Sequence, residues 1–373
     1  MLFDYSFRNF NFRLVIYVLL LNIFGVLVIR SATNQDMEIV GKQIIGIITG
    51  FGIVMMLSLV DYHKVLSAAA IIYAMSITIL ISVLLFGKKI GGATRWIVLP
   101  VIGQIQPSEF VKIGLIVFFS WFFSRYQEQL NRVRTLAIAG FLFTVVFFLI
   151  FEEPDLSTSI VSVIVFICML FVAGISYQWI AGAIAVLIPF GTMFIYLLQH
   201  GLVPVLEPYQ VNRILAFVFP AKFADANLQQ NNSIMAIGSG MLNGKGLNNN
   251  TLASVKNGNF LSEEKTDFIF AVIGEELGFI GCTVVIILIM LVAFECLLMA
   301  SRARDTGGKL ICTGMAALVA FQSFANISVA TGLFPNTGLP LPFISYGVSS
   351  LISTYIGIGL SLNVGLQRKI SNH

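Results

Sequence analysis

The chain has 373 residues, 57% of them hydrophobic and only 11% charged, against roughly 25% charged in soluble globular domains. A formal net charge of +4 offers no basic stripe and argues against nucleic acid as a partner. Cys168, Cys282, Cys296 and Cys312 are scattered through apolar segments, and His63, His200 and His373 are isolated, which argues against a disulfide framework and against a zinc or haem site.

Lipid is the solvent this composition suits. A spanning helix needs about 20 mostly apolar residues, because unpaired backbone groups are costly in hydrocarbon. In chain order, apolar runs predict spans near 14–30, 43–60, 66–86, 107–123, 135–151, 156–173, 178–199, 268–300, 310–331 and 346–366. The first run follows Arg8 and Arg13 and ends without a small-x-small cleavage pattern, so it reads as a retained anchor. The expected fold is an all-α polytopic integral membrane protein of about ten transmembrane helices. It forms a single membrane domain over 1–373, with a long extracytoplasmic loop at 200–267 between helices 7 and 8.

An even number of spans puts both termini on one side. With that side inside, the inner segments hold eleven of the 22 basic residues, namely Arg8, Arg13, Lys64, Arg125, Arg132, Arg134, Arg302, Arg304, Lys309, Arg368 and Lys369, and the short outer loops hold five. The bias predicts cytoplasmic termini, with Lys88, Lys89 and Arg95 running against it.

Ionisable groups at or within a span cost at least about 2.5 kcal/mol near its centre, so each needs a reason. Glu109 and Lys112 stand three apart after Pro107 in the run Gln106-Pro107-Ser108-Glu109-Phe110-Val111-Lys112. That spacing permits an intrahelical pair, which either neutralises two charges or walls a polar cavity. In Glu152-Glu153-Pro154-Asp155-Leu156-Ser157-Thr158, Asp155 has the position of an N-cap, while the carboxylates together could hold a cation or a sugar.

Thr266-Asp267-Phe268-Ile269-Phe270 opens the helix after the long loop, and Asp267 to Ala300 is 34 residues. At about 1.5 Å per residue that is roughly 50 Å, so the helix must project beyond a core of about 30 Å or break. Asp267, Ala271, Gly274 and Gly278 share a face on which a neighbour can come close, and Asp267 reads equally as an N-cap or a general base. Near the C-terminus, Pro335, Pro340 and Pro342 in a segment that ends Phe343-Ile344-Ser345-Tyr346-Gly347 preclude a regular helix, which suggests a cavity-lining loop or else a surface turn. The long loop also holds Gly238-Ser239-Gly240-Met241-Leu242-Asn243-Gly244-Lys245-Gly246. Its spacing fails the nucleotide phosphate-loop pattern, and a turn that holds a lipid-linked pyrophosphate is the alternative weighed for it.

Taken in order, the motifs around Gln106–Lys112, Pro154–Leu156, Ala236–Gly240, Thr266–Phe270 and Pro340–Gly347 resemble those of the SEDS family (shape, elongation, division and sporulation). The resemblance runs from about Arg13 to Lys369 and is nearest to the family's elongation members. It implies peptidoglycan glycosyltransfer: lipid II polymerised at the outer face of a bacterial cytoplasmic membrane, with undecaprenyl pyrophosphate leaving. Asp267 matches the family's essential outer-loop aspartate, the base for the acceptor's GlcNAc 4-hydroxyl. Glu109, Lys112, Asp155 and Ser345 match cavity positions, and Arg95 and Arg213 are candidates for the pyrophosphates.

The same resemblance implies a class B penicillin-binding protein and elongation-complex membrane proteins as partners. A divalent cation is compatible with this chemistry, and the sequence names no ligands for one. Ser157, Val348 and Ser262-Glu263-Glu264-Lys265 depart from the family pattern, and the last leaves open which neighbour tunes Asp267. Two other classes compete: a lipid II flippase, which also needs interrupted helices and intramembrane charge, and a non-catalytic scaffold in which Asp267 is dispensable.

Overall fold

The structure is a computed structural model that describes residues 9–90, 93–99, 103–199, 208–219, 227–248, 261, 263–336 and 338–367. Arg8, Arg368, Lys369, His200, His373, Thr337 and residues 200–207, 220–226, 249–260 and 262 of the long loop lie outside the described residues.

The helices are α1 (Phe12–Ala32), α2 (Met37–Leu59), α3 (Tyr62–Ser67), α4 (Ala69–Phe86), α5 (Pro107–Arg125), α6 (Val133–Glu152), α7 (Leu156–Ala173), α8 (Tyr177–Gln199), α9 (Pro208–Val218), α10 (Leu228–Ser239), α11 (Ile269–Ser301), α12 (Thr306–Ala330) and α13 (Val348–Leu366). Ten of them are long and apolar enough to cross a membrane, and they coincide with the ten predicted spans. The chain is a multi-pass membrane protein of all-α class. One small addition was not anticipated: β1 (Lys88–Ile90), β2 (Ala93–Leu99) and β3 (Gly103–Ile105) form an antiparallel sheet between α4 and α5. Its residues are too few and too polar to span, and pairing satisfies their backbone groups.

Burial sorts the spans. Over their most apolar stretches α5 and α13 are 83% buried, whereas α2, α4 and α6 are 28% buried and turn apolar side chains outward, as lipid-facing helices do. α12 packs against α5, α7, α11 and α13, so α5, α12 and α13 form the centre. Their polar residues, including Glu109, Lys112, Gln322, Ser323 and Asn326, are therefore interior rather than lipid-exposed.

The 33-residue α11 resolves the problem of its own length by breaking. Gly278 adopts φ 64° and ψ −163°, a conformation open essentially to glycine alone. The glycine-rich turn after α10 fills the gap. Lys245 and Gly246 donate their amides to the carbonyls of Glu275 and Glu276 (2.9 and 3.0 Å), while Phe279 and Ile280 donate to Met241 and Leu242 (2.9 and 3.2 Å). A Cβ on Gly240 would lie 1.9 Å from the Gly274 carbonyl oxygen, so α10 is the close neighbour that the small face of α11 admits. This overturns the pyrophosphate reading of that turn: the amides of Lys245 and Gly246 are spent on carbonyls of α11 and cannot cradle phosphate. Lys245 also pairs with Glu275 at 2.8 Å, and Ser31 of α1 donates to Glu276 at 2.5 Å, which ties the wedge to the bundle.

Candidate active site

Four elements meet at the end of the bundle that carries the long loop: the sheet, the α6–α7 turn, the turn before α11, and the segment between α12 and α13. Asp155 is the N-cap of α7, as its sequence position predicts. Its Oδ1 accepts from the Thr158 amide at 3.1 Å, and its Oδ2 accepts from the Thr158 hydroxyl and from Gln106 Nε2, both at 2.9 Å. Arg95 on β2 reaches over this turn, with Nη1 3.9 Å from Asp155 Oδ1, Nε donating to the Glu153 carbonyl at 3.3 Å, and Nη2 donating to the Pro154 carbonyl. Gln106, quoted in the sequence only as part of a motif, thus joins the start of α5 to Asp155.

Glu153 has no exposed surface, and among the described residues neither carboxyl oxygen has a hydrogen-bond partner. Burial first, then the Asp155 charge, push its pKa up to about 9 against the pull of Arg95. Glu153 is therefore neutral at physiological pH, and the acidic run does not present three charges. Among the described residues no three His, Cys, Asp or Glu side chains converge to hold a metal ion, and Asp155 is committed to its protein partners. The acidic run does not fit a cation site.

Asp267 is held differently. The N-cap of α11 is Phe268, with no side-chain cap, so Asp267 does not cap its helix. No hydrogen bond reaches its carboxylate among the described residues, and its carbonyl accepts from Asn326 Nδ2 at 2.8 Å. Burial pushes its pKa up to about 7, the Glu263 charge adds to this, Arg213 and Arg95 oppose it, and Asp155 adds a smaller push. Those influences place Arg213 on α9, Arg95 and Asp155 within electrostatic reach of one carboxylate. They also supply the neighbour that the sequence left open: desolvation and Glu263 tune Asp267. Gly338, with φ +75°, flanks the carboxylate, and a Cβ there would sit 3.0 Å from Asp267 Oδ2.

Deeper in the bundle, Lys112 Nζ contacts Glu109 Oε1 at 2.9 Å and donates to Gln322 Oε1 at 2.8 Å, with both ions 2% exposed. The spacing-derived pair is present, and a third member, Gln322, donates onward to the Pro340 carbonyl at 3.0 Å. The proline-containing segment is buried, with Leu339, Leu341, Phe343, Ile344 and Ser345 each at most 5% exposed, so it is an interior loop and not a surface turn. The Ser345 hydroxyl donates to the Thr266 carbonyl at 2.7 Å and accepts from the Leu341 amide at 2.7 Å. Both bonds run to protein backbone, so Ser345 supports the turn before Asp267. Gln322 and Asn326 went unremarked in the sequence, where an amide on an apolar helix gives no sign of its partners.

A polytopic bundle that gathers Asp267, Asp155 and the charges of Arg95 and Arg213 at one end is the frame of a membrane enzyme. The family model described as a cell cycle protein, covering FtsW, RodA and SpoVE, matches residues 12–370, and the chain belongs to this family. Peptidoglycan glycosyltransferase MrdB of Escherichia coli K12 is 31% identical over 96% of this chain and 94% of its own length. A probable peptidoglycan glycosyltransferase FtsW of Trichlorobacter lovleyi is 33% identical over 97% and 95%. Among solved structures, a chain from a peptidoglycan synthase complex that coordinates polymerization and crosslinking matches with a TM-score of 0.76 at 27% identity, covering 95% of this chain and 97% of that one. The rod shape determining protein RodA of Thermus thermophilus matches with a TM-score of 0.68 at 25% identity, covering 96% and 97%. Relatives of both names, FtsW and MrdB or RodA, occur at similar identity, so similarity places the chain in the family without separating elongation from division.

Proposed function

We propose that the chain is a peptidoglycan glycosyltransferase that polymerises lipid II, with Asp267 as its general base. One observation carries the assignment of the base: Asp267 is a partly buried carboxylate that, among the described residues, is not used for capping or pairing. With a pKa of about 7 it is ionised in a large fraction of molecules at neutral pH and still basic enough to take a proton.

In the step proposed, the acceptor's GlcNAc 4-hydroxyl oxygen attacks the donor's anomeric carbon while its proton passes to an Asp267 carboxylate oxygen. The bond from that carbon to the lipid diphosphate breaks with inversion, and the diphosphate leaves with the electron pair. The leaving group is a stabilised anion, so no acid catalyst is needed. Arg95 and Arg213 are the cations that meet it, since guanidinium groups bind phosphate oxygens in pairs. For Arg95 this means giving up carbonyl contacts at the α6–α7 turn in exchange for phosphate. Glu109, Lys112 and Gln322 form the polar floor beneath the site.

The reading extends to a bacterial cytoplasmic membrane with both termini inside, the loop 200–267 outside, an elongation role and a class B penicillin-binding partner. The inward bias of basic residues and the synthase-complex neighbour support these. The test is polymerisation of purified lipid II by the purified chain with its partner: wild type forms glycan strands, and Asp267→Asn forms none while eluting and melting as a folded protein. Polymer at the wild-type rate from that variant overturns the assignment.

A further inference from the structure

The turn that carries Asp267 is gripped by its backbone. The three consecutive carbonyls of Lys265, Thr266 and Asp267 each accept one hydrogen bond from outside the turn: from the Tyr346 amide at 2.9 Å, the Ser345 hydroxyl at 2.7 Å and Asn326 Nδ2 at 2.8 Å. Two of these donors also fasten the proline-containing segment. Asn326 Nδ2 donates to the Leu339 carbonyl at 2.6 Å, and Ser345 Oγ accepts from the Leu341 amide at 2.7 Å. Asn326 and Ser345 therefore sit between two irregular segments and fix each against the other.

Stability alone does not account for Asn326. It is 1% exposed, and its Oδ1 has no hydrogen-bond partner among the described residues. A buried, unsatisfied acceptor is a cost that an apolar side chain of similar size would avoid. What an apolar side chain could not do is donate to two carbonyls from separate segments. The grip also takes the place of a cap. An aspartate at a helix start ordinarily accepts from the first backbone amides of its helix, and here the carboxylate makes no such bond.

We propose that Asn326 and Ser345 are positioning residues for glycosyl transfer, holding the backbone of residues 265–267 so that the Asp267 carboxylate faces Gly338 with no hydrogen bond from the described residues. The proposal rests on the reading of Asp267 as base. Gly338 leaves room above Oδ2, and the acceptor hydroxyl enters there. Loosening the grip lets the turn relax toward capping and lets water reach the carboxylate, so fewer molecules hold a poised base, while the arginines that meet the diphosphate stay in place.

The experiment measures lipid II polymerisation by the full-length chain with its partner, from pH 5.5 to 8.5, for wild type, Asn326→Ala, Ser345→Ala, Ser345→Thr and Asp267→Asn. The two alanine variants are expected to lose about tenfold or more in kcat with KM for lipid II within about twofold, the signature of a lost transition-state contribution. Their acid limb moves to lower pH, because burial is the largest influence raising Asp267, above Glu263 and Asp155 and against Arg213 and Arg95. Ser345→Thr keeps the hydroxyl and recovers most of the rate. Alanine variants with wild-type kcat and an unmoved acid limb overturn the proposal, as does a loss of rate that tracks only the folded fraction in a thermal melt. Wild-type activity of Asp267→Asn instead removes the base itself, and that arm separates failure of the underlying reading from failure of the positioning claim.

Discussion

Two turns at the same end of the bundle each set an aspartate at the start of a helix, and the fold treats them in opposite ways. Asp155 caps α7 and is saturated by Thr158, Gln106 and Arg95. Asp267 precedes α11, caps nothing, and is fixed through its carbonyl by Asn326. A carboxylate whose hydrogen bonds are filled from within the protein stabilises the fold and has little capacity left for a substrate. One that makes no such bond among the described residues, at the mouth of a turn beside Gly338, stays available to a substrate.

The largest effect expected from this contrast is on rate. Asp267→Asn should lower polymerisation by about 10²–10⁴-fold, the usual range for losing a general base, with a melting temperature equal to or above wild type. Breaking the buried pair by Glu109→Gln or Lys112→Met alone should cost about 3–5 kcal/mol of stability, because each leaves an uncompensated charge. Exchanging the two residues should recover more function than either single change, and equal loss in all three variants would argue against a simple pair. Asp155→Asn should shift stability by about 1–3 kcal/mol through lost charged hydrogen bonds; a variant that melts like wild type would erase the difference between the two turns.

The contrast also has a dependence on pH. The Asp267 pKa is raised, by burial foremost, from an ordinary 3.8 to about 7. The folded state thus binds this proton more tightly than the unfolded state does. The group's contribution to stability is undiminished below about pH 4 and is lost as pH climbs toward 7, while the polymerisation rate rises over the upper part of that window. Asp267→Asn should remove both slopes, as melts and initial rates across pH would register.

Much of this was legible from residue order alone. Ten spans follow from apolar runs, the Glu109–Lys112 pair from a spacing of three, and the Asp155 cap from its place before an apolar run. The rest depends on juxtapositions that no local pattern encodes. Asn326 and Asp267 are 59 residues apart, and Gln322 and Lys112 are 210 apart. The excess length of α11 announced a break, but Gly278 was only one of several glycines that could supply it, and it was selected by the turn from Met241 to Gly246 that packs there. The sheet between α4 and α5 escaped notice because its strands are short and its pairing is among neighbours in the chain.

The break at Gly278 also bears on how the enzyme meets membranes of different thickness. Residues 279–301 rise roughly 35 Å at about 1.5 Å per residue, close to the hydrocarbon span they cross, and a helix of that length answers hydrophobic mismatch by tilting. Had α11 run unbroken, any tilt would have swung Asp267 through an arc at the far end of the lever. The turn after α10 bonds both sides of the break, the Glu275 and Glu276 carbonyls above it and the Phe279 and Ile280 amides below it, so the pivot is pinned beside α10 and the aspartate's segment is set apart from the tilt of the rod beneath.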